Sequence, residues 1–130
     1  MRQLGVNTHP IPMLDNPRHL LHAEGFSVLT ITFAAYHELH GNWLLFFLLF
    51  LWPDLLMLGY LLNARVGAWC YNLAHTEVLP LFLGACAVFE MWPRALLFAI
   101  IWMAHLGFDR MLGYGLKYPT FFKDTHLQRV

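Results

Sequence analysis

Hydrophobic positions in this chain run in long blocks instead of alternating with polar ones, the pattern of buried or membrane helices rather than of half-exposed strands. Four blocks approach the ~20 apolar residues that cross a bilayer. The first, residues 20–36, is free of ionisable groups only from Gly25 to Tyr36 and reaches full length with Glu24 included. The second, 43–62, reads WLLFFLLFLWPDLLMLGYLL, with a Pro53-Asp54 interruption. The third, 67–89, opens GAWCYNLAH and carries His75, Glu77 and Pro80. The fourth, 95–112, follows Pro93 and stops at Gly113, a pairing that suits a helix start and a left-handed helix end. The connections, 37–42, 63–66 and 90–94, are short, which makes neighbouring spans antiparallel. The expectation is an all-α fold: a four-transmembrane-helix, up-down-up-down bundle over 19–113. A cytoplasmic segment, 1–18, precedes it, and a cytoplasmic interfacial tail, 114–130, follows, in which aromatics interleave with Lys.

Composition agrees with that pattern. Of the 130 residues 58% are hydrophobic and 12% charged, with no net charge, against ~25% charged in a typical soluble domain. This excludes a disordered chain, a basic nucleic-acid binder and an ordinary water-soluble enzyme, and it makes the lipid bilayer the first partner. Arg2, Arg18, Arg65, Arg110, Lys117, Lys123 and Arg129 fall on one side of the spans and Arg94 alone on the other, which places both termini in the cytoplasm. Residues 1–18 contain three prolines and no apolar core, so no signal peptide is expected. Cys70 and Cys86 share the third block, ~24 Å apart along a helix, beyond disulfide reach.

Ionisable groups within a bilayer are costly and must face a partner, water or a metal. Asp54, His75 and His105 each stand eight residues from the same-side end of their span (Leu62, Gly67 and Gly113), hence ~12 Å deep. Asp109 and Glu24 stand four residues in, ~6 Å deep. His105 and Asp109 are i and i+4 on one helix face, and Tyr71 and Asn72 share a face with His75. Glu77 is ~200° from His75 and falls outside this group, and Arg110 is placed to pair with a carboxylate or a lipid phosphate. Two imidazoles with two or three carboxylates suit a divalent ion, Zn, Mn or Fe. The expected ligands are Asp54, His75, His105 and Asp109. Glu24 is expected as a further ligand or general base, with Tyr71 and Asn72 orienting the ligands.

The segments WPDLLMLGYL (52–61), RVGAWCYNLAHTEVLP (65–80) and IWMAHLGFDRMLGYGLKYPTFFKDTHL (101–127) resemble the domain of unknown function 4260 family of small bacterial membrane proteins. The resemblance covers residues 20–128 and implies a four-span protein of the bacterial inner membrane, with no activity attached. It places Glu24, Asp54, Tyr71, Asn72, His75, His105, Asp109, Arg110, Lys117, Tyr118 and His126 at motif positions. The chain departs from the pattern at Glu77, where an uncharged aromatic is expected, and at Asn63-Ala64, where Gly-Pro is. The short D…H…H pattern is also distantly similar to membrane-bound metal-dependent hydrolases, an analogy only.

The leading reading is a membrane-embedded, metal-dependent enzyme, a hydrolase acting on a lipidic or membrane-partitioned substrate at the cytoplasmic leaflet. Three alternatives use the same residues: a proton or small-solute carrier, a bis-His haem site on His75 and His105, and a non-catalytic subunit or assembly factor of a membrane complex. The almost wholly apolar outer halves LLFFLLFL and ALLFAIIW argue against a polar conduit in a monomer, and the adjacent Asp54 and Asp109 argue against haem. Association into a homo-oligomer or a larger membrane complex is compatible with so small a bundle.

Overall fold

The computed structural model describes residues 16–130; the N-terminal segment expected over 1–18 lies largely outside them. Helix α1, Pro17–Glu38, starts where the Asn16 side chain accepts from the Arg18 amide at 3.0 Å and Pro17 takes the first turn. Helix α2, Trp43–Phe50, is capped by Asn42, whose side chain accepts from the Leu45 amide. The Tyr36 hydroxyl donates to the Asn42 carbonyl at 2.8 Å and closes the connection. Beyond α2 the second block tightens into a 3₁₀ helix, Trp52–Leu61, with Pro53 in its first turn and Asp54 bonded back to Leu51. The Pro53-Asp54 interruption therefore changes the winding without ending the pass.

Helix α3, Ala64–His75, begins at Asn63, whose side chain accepts from the Val66 amide at 2.9 Å. A residue that departs from the family pattern thus serves as an N-cap. The third block is not one continuous helix. α3 stops at His75, Thr76 is extended, and α4 runs Val78–Phe89. Pro80 supplies the cause: it has no N–H for the Thr76 carbonyl and its ring would collide with that carbonyl in a continuing helix. Cys70 and Cys86 consequently sit on different helices, both as free thiols. Helix α5, Pro93–Leu112, ends at Gly113, whose φ of 93° is the left-handed conformation the sequence reading assigns it.

α5 is the centre of the bundle: α1, α2 and α4 pack on it, and α3 packs against the 3₁₀ helix. α1 and α5 approach closely at Gly25 and Gly107. A Cβ at Gly25 would stand 2.4 Å from the Met111 nitrogen, and one at Gly107 2.8 Å from the Leu29 nitrogen. At the end remote from the polar residues, Tyr36, Phe46, Ile101 and Ala104 form a buried apolar core.

Trp43–Leu61, Ala64–Phe89 and Pro93–Leu112 are long and apolar enough to cross a membrane. The 22-residue α1, ~33 Å long, is the more polar helix that completes the bundle. Its exposed Ser27 and Thr30 hydroxyls donate to their own helix at Ala23 and Phe26, which removes their hydrogen-bonding demand. Outward-facing Leu44, Phe47, Leu48, Leu61, Trp69, Phe82 and Phe89 give the bundle an apolar surface that fits a lipid environment.

The tail folds back on the bundle. Lys117 and Thr125 pair as an antiparallel bridge, the Tyr118 amide donates to Asp124, and the His126 amide to Leu116. Leu127 and Thr125 are buried, and Arg18 donates to the carbonyls of Gln128 and Val130. Arg129 closes the hairpin over the Tyr118 ring at 3.7 Å, and its guanidinium with Thr120 holds the buried Asp124 carboxyl below the usual carboxylate range.

Candidate metal centre

Three elements bring four side chains to one point. Asp54 comes from the first turn of the 3₁₀ helix, His75 from the last residue of α3, and His105 and Asp109 from successive turns of α5. One ligand atom from each lies within 4.8 Å of all the others. His75 Nε2 and His105 Nε2 are 3.2 Å apart. Asp54 Oδ1 is 3.4 Å from both imidazoles, and Asp109 Oδ2 is 3.4 Å from His75 and 3.6 Å from His105. Atoms bound to zinc at ~2.0–2.1 Å in a tetrahedron stand ~3.3–3.4 Å from one another, so these five separations fit a single small ion. They leave no slot for a porphyrin between the imidazoles, which removes the haem alternative.

The His75 ring is fixed by what surrounds it. Its Nδ1 lies 2.9 Å from the Tyr71 carbonyl, an acceptor only, so Nδ1 carries the proton and Nε2 presents a lone pair to the centre. The Tyr71 ring stacks on the imidazole, and the Tyr71 hydroxyl donates to Asp109 Oδ2 at 3.2 Å. His105 is held by Phe50 edge-on, with its Nδ1 buried and unpartnered. The two imidazoles are fully enclosed, whereas the Asp54 side chain is 31% exposed, so the centre opens on the Asp54 side.

The break after His75 also anchors the site. A helix end leaves carbonyls without intrahelical donors. Here Trp102 Nε1 donates to the Ala74 carbonyl at 2.6 Å and Arg110 to the His75 carbonyl at 2.9 Å. Arg110 also donates to the Tyr114 carbonyl at 2.7 Å. It therefore binds backbone carbonyls, and not the carboxylate or lipid phosphate the sequence suggested.

Two expected site residues lie elsewhere. Glu24 is exposed on α1 and belongs to a separate pocket with Glu77, Arg110 and His126, away from the four converging atoms. Asn72 orients no ligand. Its amide accepts from the Lys117 amide at 2.7 Å and donates to the Lys117 carbonyl at 2.8 Å, a two-point clasp on the tail. His22 binds the Met111 carbonyl at 2.6 Å. His126 does fold back, accepting from the Leu116 amide, and burial together with the Arg110 charge holds it below the ordinary histidine range.

Sequence reasoning missed Lys117 as a neighbour of the centre. Its ammonium lies 4.6 Å from the centre of the Tyr71 ring, on a side chain whose Nζ donates to the Phe122 carbonyl. Burial pulls it below the usual lysine range, against the opposing pull of Asp109 and Asp54. No spacing within the tail signals this, because the Asn72 clasp that delivers Lys117 is formed 45 residues away.

A family model for the domain of unknown function 4260 family (DUF4260) matches residues 18–130, nearly all of the described chain. No curated protein and no solved structure matches the chain. The chain belongs to the domain of unknown function 4260 family.

Proposed function

We propose that this family member is a membrane-embedded, metal-dependent hydrolase. Its substrate is lipidic or membrane-partitioned and is reached from the cytoplasmic leaflet, with both termini on that side. One divalent ion, Zn, Mn or Fe, is held by Asp54, His75, His105 and Asp109.

A single observation carries this reading: two imidazoles and two carboxylates each bring one ligand atom within 4.8 Å of all the others. His75 Nε2 offers a lone pair, and both carboxylates are acceptors only when ionised. The two carboxylates bring two negative charges to one point, which a divalent ion would balance. Two neutral imidazoles and two carboxylates around a divalent ion sum to zero charge, the state least penalised at membrane depth. Mixed N and O donors suit Zn, Mn or Fe.

A bound ion of this kind lowers the pKa of water and polarises an ester or phosphoryl oxygen. The chain's own groups divide the remaining work. His75 and His105 are immobilised by Tyr71 and Phe50 and act as fixed ligands. Asp54, the exposed member, is the ligand on the side from which substrate would arrive. Tyr71 keeps Asp109 oriented through its hydroxyl.

The test is hydrolysis of ester and phosphoester amphiphiles by protein in lipid nanodiscs. The expected result is turnover that a chelator abolishes and one added metal restores, and that Asp54→Asn lowers together with metal affinity. Absence of turnover by the metal-loaded protein across both substrate classes would overturn the hydrolase reading and leave the metal site to be judged separately.

A further inference from the structure

A second feature lies on the other flank of α5. α1 and α4 both pack on α5 and hardly on each other, leaving a groove between them. Its two chambers, ≈ 580 and ≈ 530 Å³, meet at Val28, which lines both. One chamber, at the helix break, sets Glu24, Glu77 and Arg110 among apolar residues. The other is almost purely apolar and follows α4 past Pro80 and Gly84 to Phe89. A pocket bearing carboxylates beside an apolar trough suits an amphiphile, and its charge says which kind. Arg110 is already engaged by two carbonyls, while among the described residues no cation lies within salt-bridge distance of Glu24 or Glu77. The length also matches. The twelve residues of α4 span ~18 Å. One leaflet of the ~30 Å hydrocarbon core is ~15 Å.

We propose that this groove holds an amphiphile whose head carries a primary ammonium, received by Glu24 and Glu77, and whose chain lies along α4 against α5. A primary ammonium offers three N–H donors to the two carboxylates, whereas a quaternary head of the same charge offers none. The groove therefore discriminates between head groups and is more than a crevice filled by any lipid tail. None of the four residues of the metal centre lines it, so this site stands or falls independently of the metal.

The test is native mass spectrometry of the full chain in detergent, titrated with phosphatidylethanolamine or with phosphatidylcholine of identical chains. The parent is expected to retain the ethanolamine lipid about tenfold more strongly. E24Q/E77Q should bind both lipids alike. Gly84→Leu should lose both, because a Cβ at Gly84 meets only the Ala99 Cβ, at 3.6 Å, and a longer side chain extends into the trough without disturbing the fold. Equal retention of the two lipids by the parent, or a preference that survives in E24Q/E77Q, would overturn the proposal. So would a lipid-free dimer, which would mean that a second copy of the chain fills the groove.

Discussion

The Tyr71 ring lies flat on the His75 imidazole, centroids 3.6 Å apart and planes 10° from parallel, while its hydroxyl reaches Asp109. One side chain thus fixes an imidazole from α3 and a carboxylate from α5, and its backbone carbonyl sets the His75 tautomer. Tyr71→Phe keeps the stack and removes the donor. Loss of a partner that orients a ligand weakens metal binding ~10–100-fold. Competition against a chromogenic chelator measures this, and an affinity equal to that of the parent would show that the hydroxyl does not orient Asp109.

Asn72 acts on the tail and not on the centre. Asn72→Ala leaves the buried Lys117 backbone N–H and C=O without partners, a cost of ~1–3 kcal/mol each. Residues 114–130 should then undock, with faster tryptic cleavage at Lys117 and Lys123, while the metal content stays that of the parent. Parallel loss of metal and tail protection would show that Asn72 supports the centre after all.

The depths of Asp54, His75 and His105 are legible in the sequence because helical rise is nearly constant, and Asp109 follows from its i+4 spacing. Depth is one coordinate; azimuth is the other. Glu24 stands at a suitable depth, but α1 turns Gly25 toward Arg110 and Met111, which sends Glu24 about 100° away into the neighbouring groove. Only the helix–helix contact decides that rotation. The role of Arg110 depends on carbonyls exposed by the break after His75, and the break follows from Pro80, whose consequence four residues upstream is local chemistry that the apolar run conceals.

The α1–α5 contact makes a steric prediction. Gly25→Ala and Gly107→Ala each place a methyl against backbone, and overpacking of this kind costs ~1–3 kcal/mol or more. Both should lower the thermal midpoint in detergent. Gly84→Ala should leave it unchanged, since its Cβ finds ordinary contact at 3.6 Å. Equal midpoints for Gly107→Ala and Gly84→Ala would contradict the close helix approach.

Tail docking should weaken in acid. His126 titrates below its ordinary value of ~6.5 when docked, because burial and Arg110 disfavour its cation. The undocked form binds protons first, so the docking contribution is full above ~6.5 and is lost as pH falls through the lower, docked value. The lone pair that accepts the Leu116 amide is lost in the same step. Hydrogen-exchange protection of residues 114–130, normalised for intrinsic rate, should fall between pH 7 and 5 in the parent and much less in His126→Gln. Protection that is flat with pH in the parent would remove His126 from the account.

The most direct measurement is elemental analysis of the detergent-purified chain beside His105→Ala. The expected result is one Zn, Mn or Fe ion per parent chain, absent from the variant, with a lower thermal midpoint for the variant that added metal does not restore. A parent free of these metals, even after incubation with each, and a variant of the same thermal midpoint would mean that Asp54, His75, His105 and Asp109 meet without holding an ion.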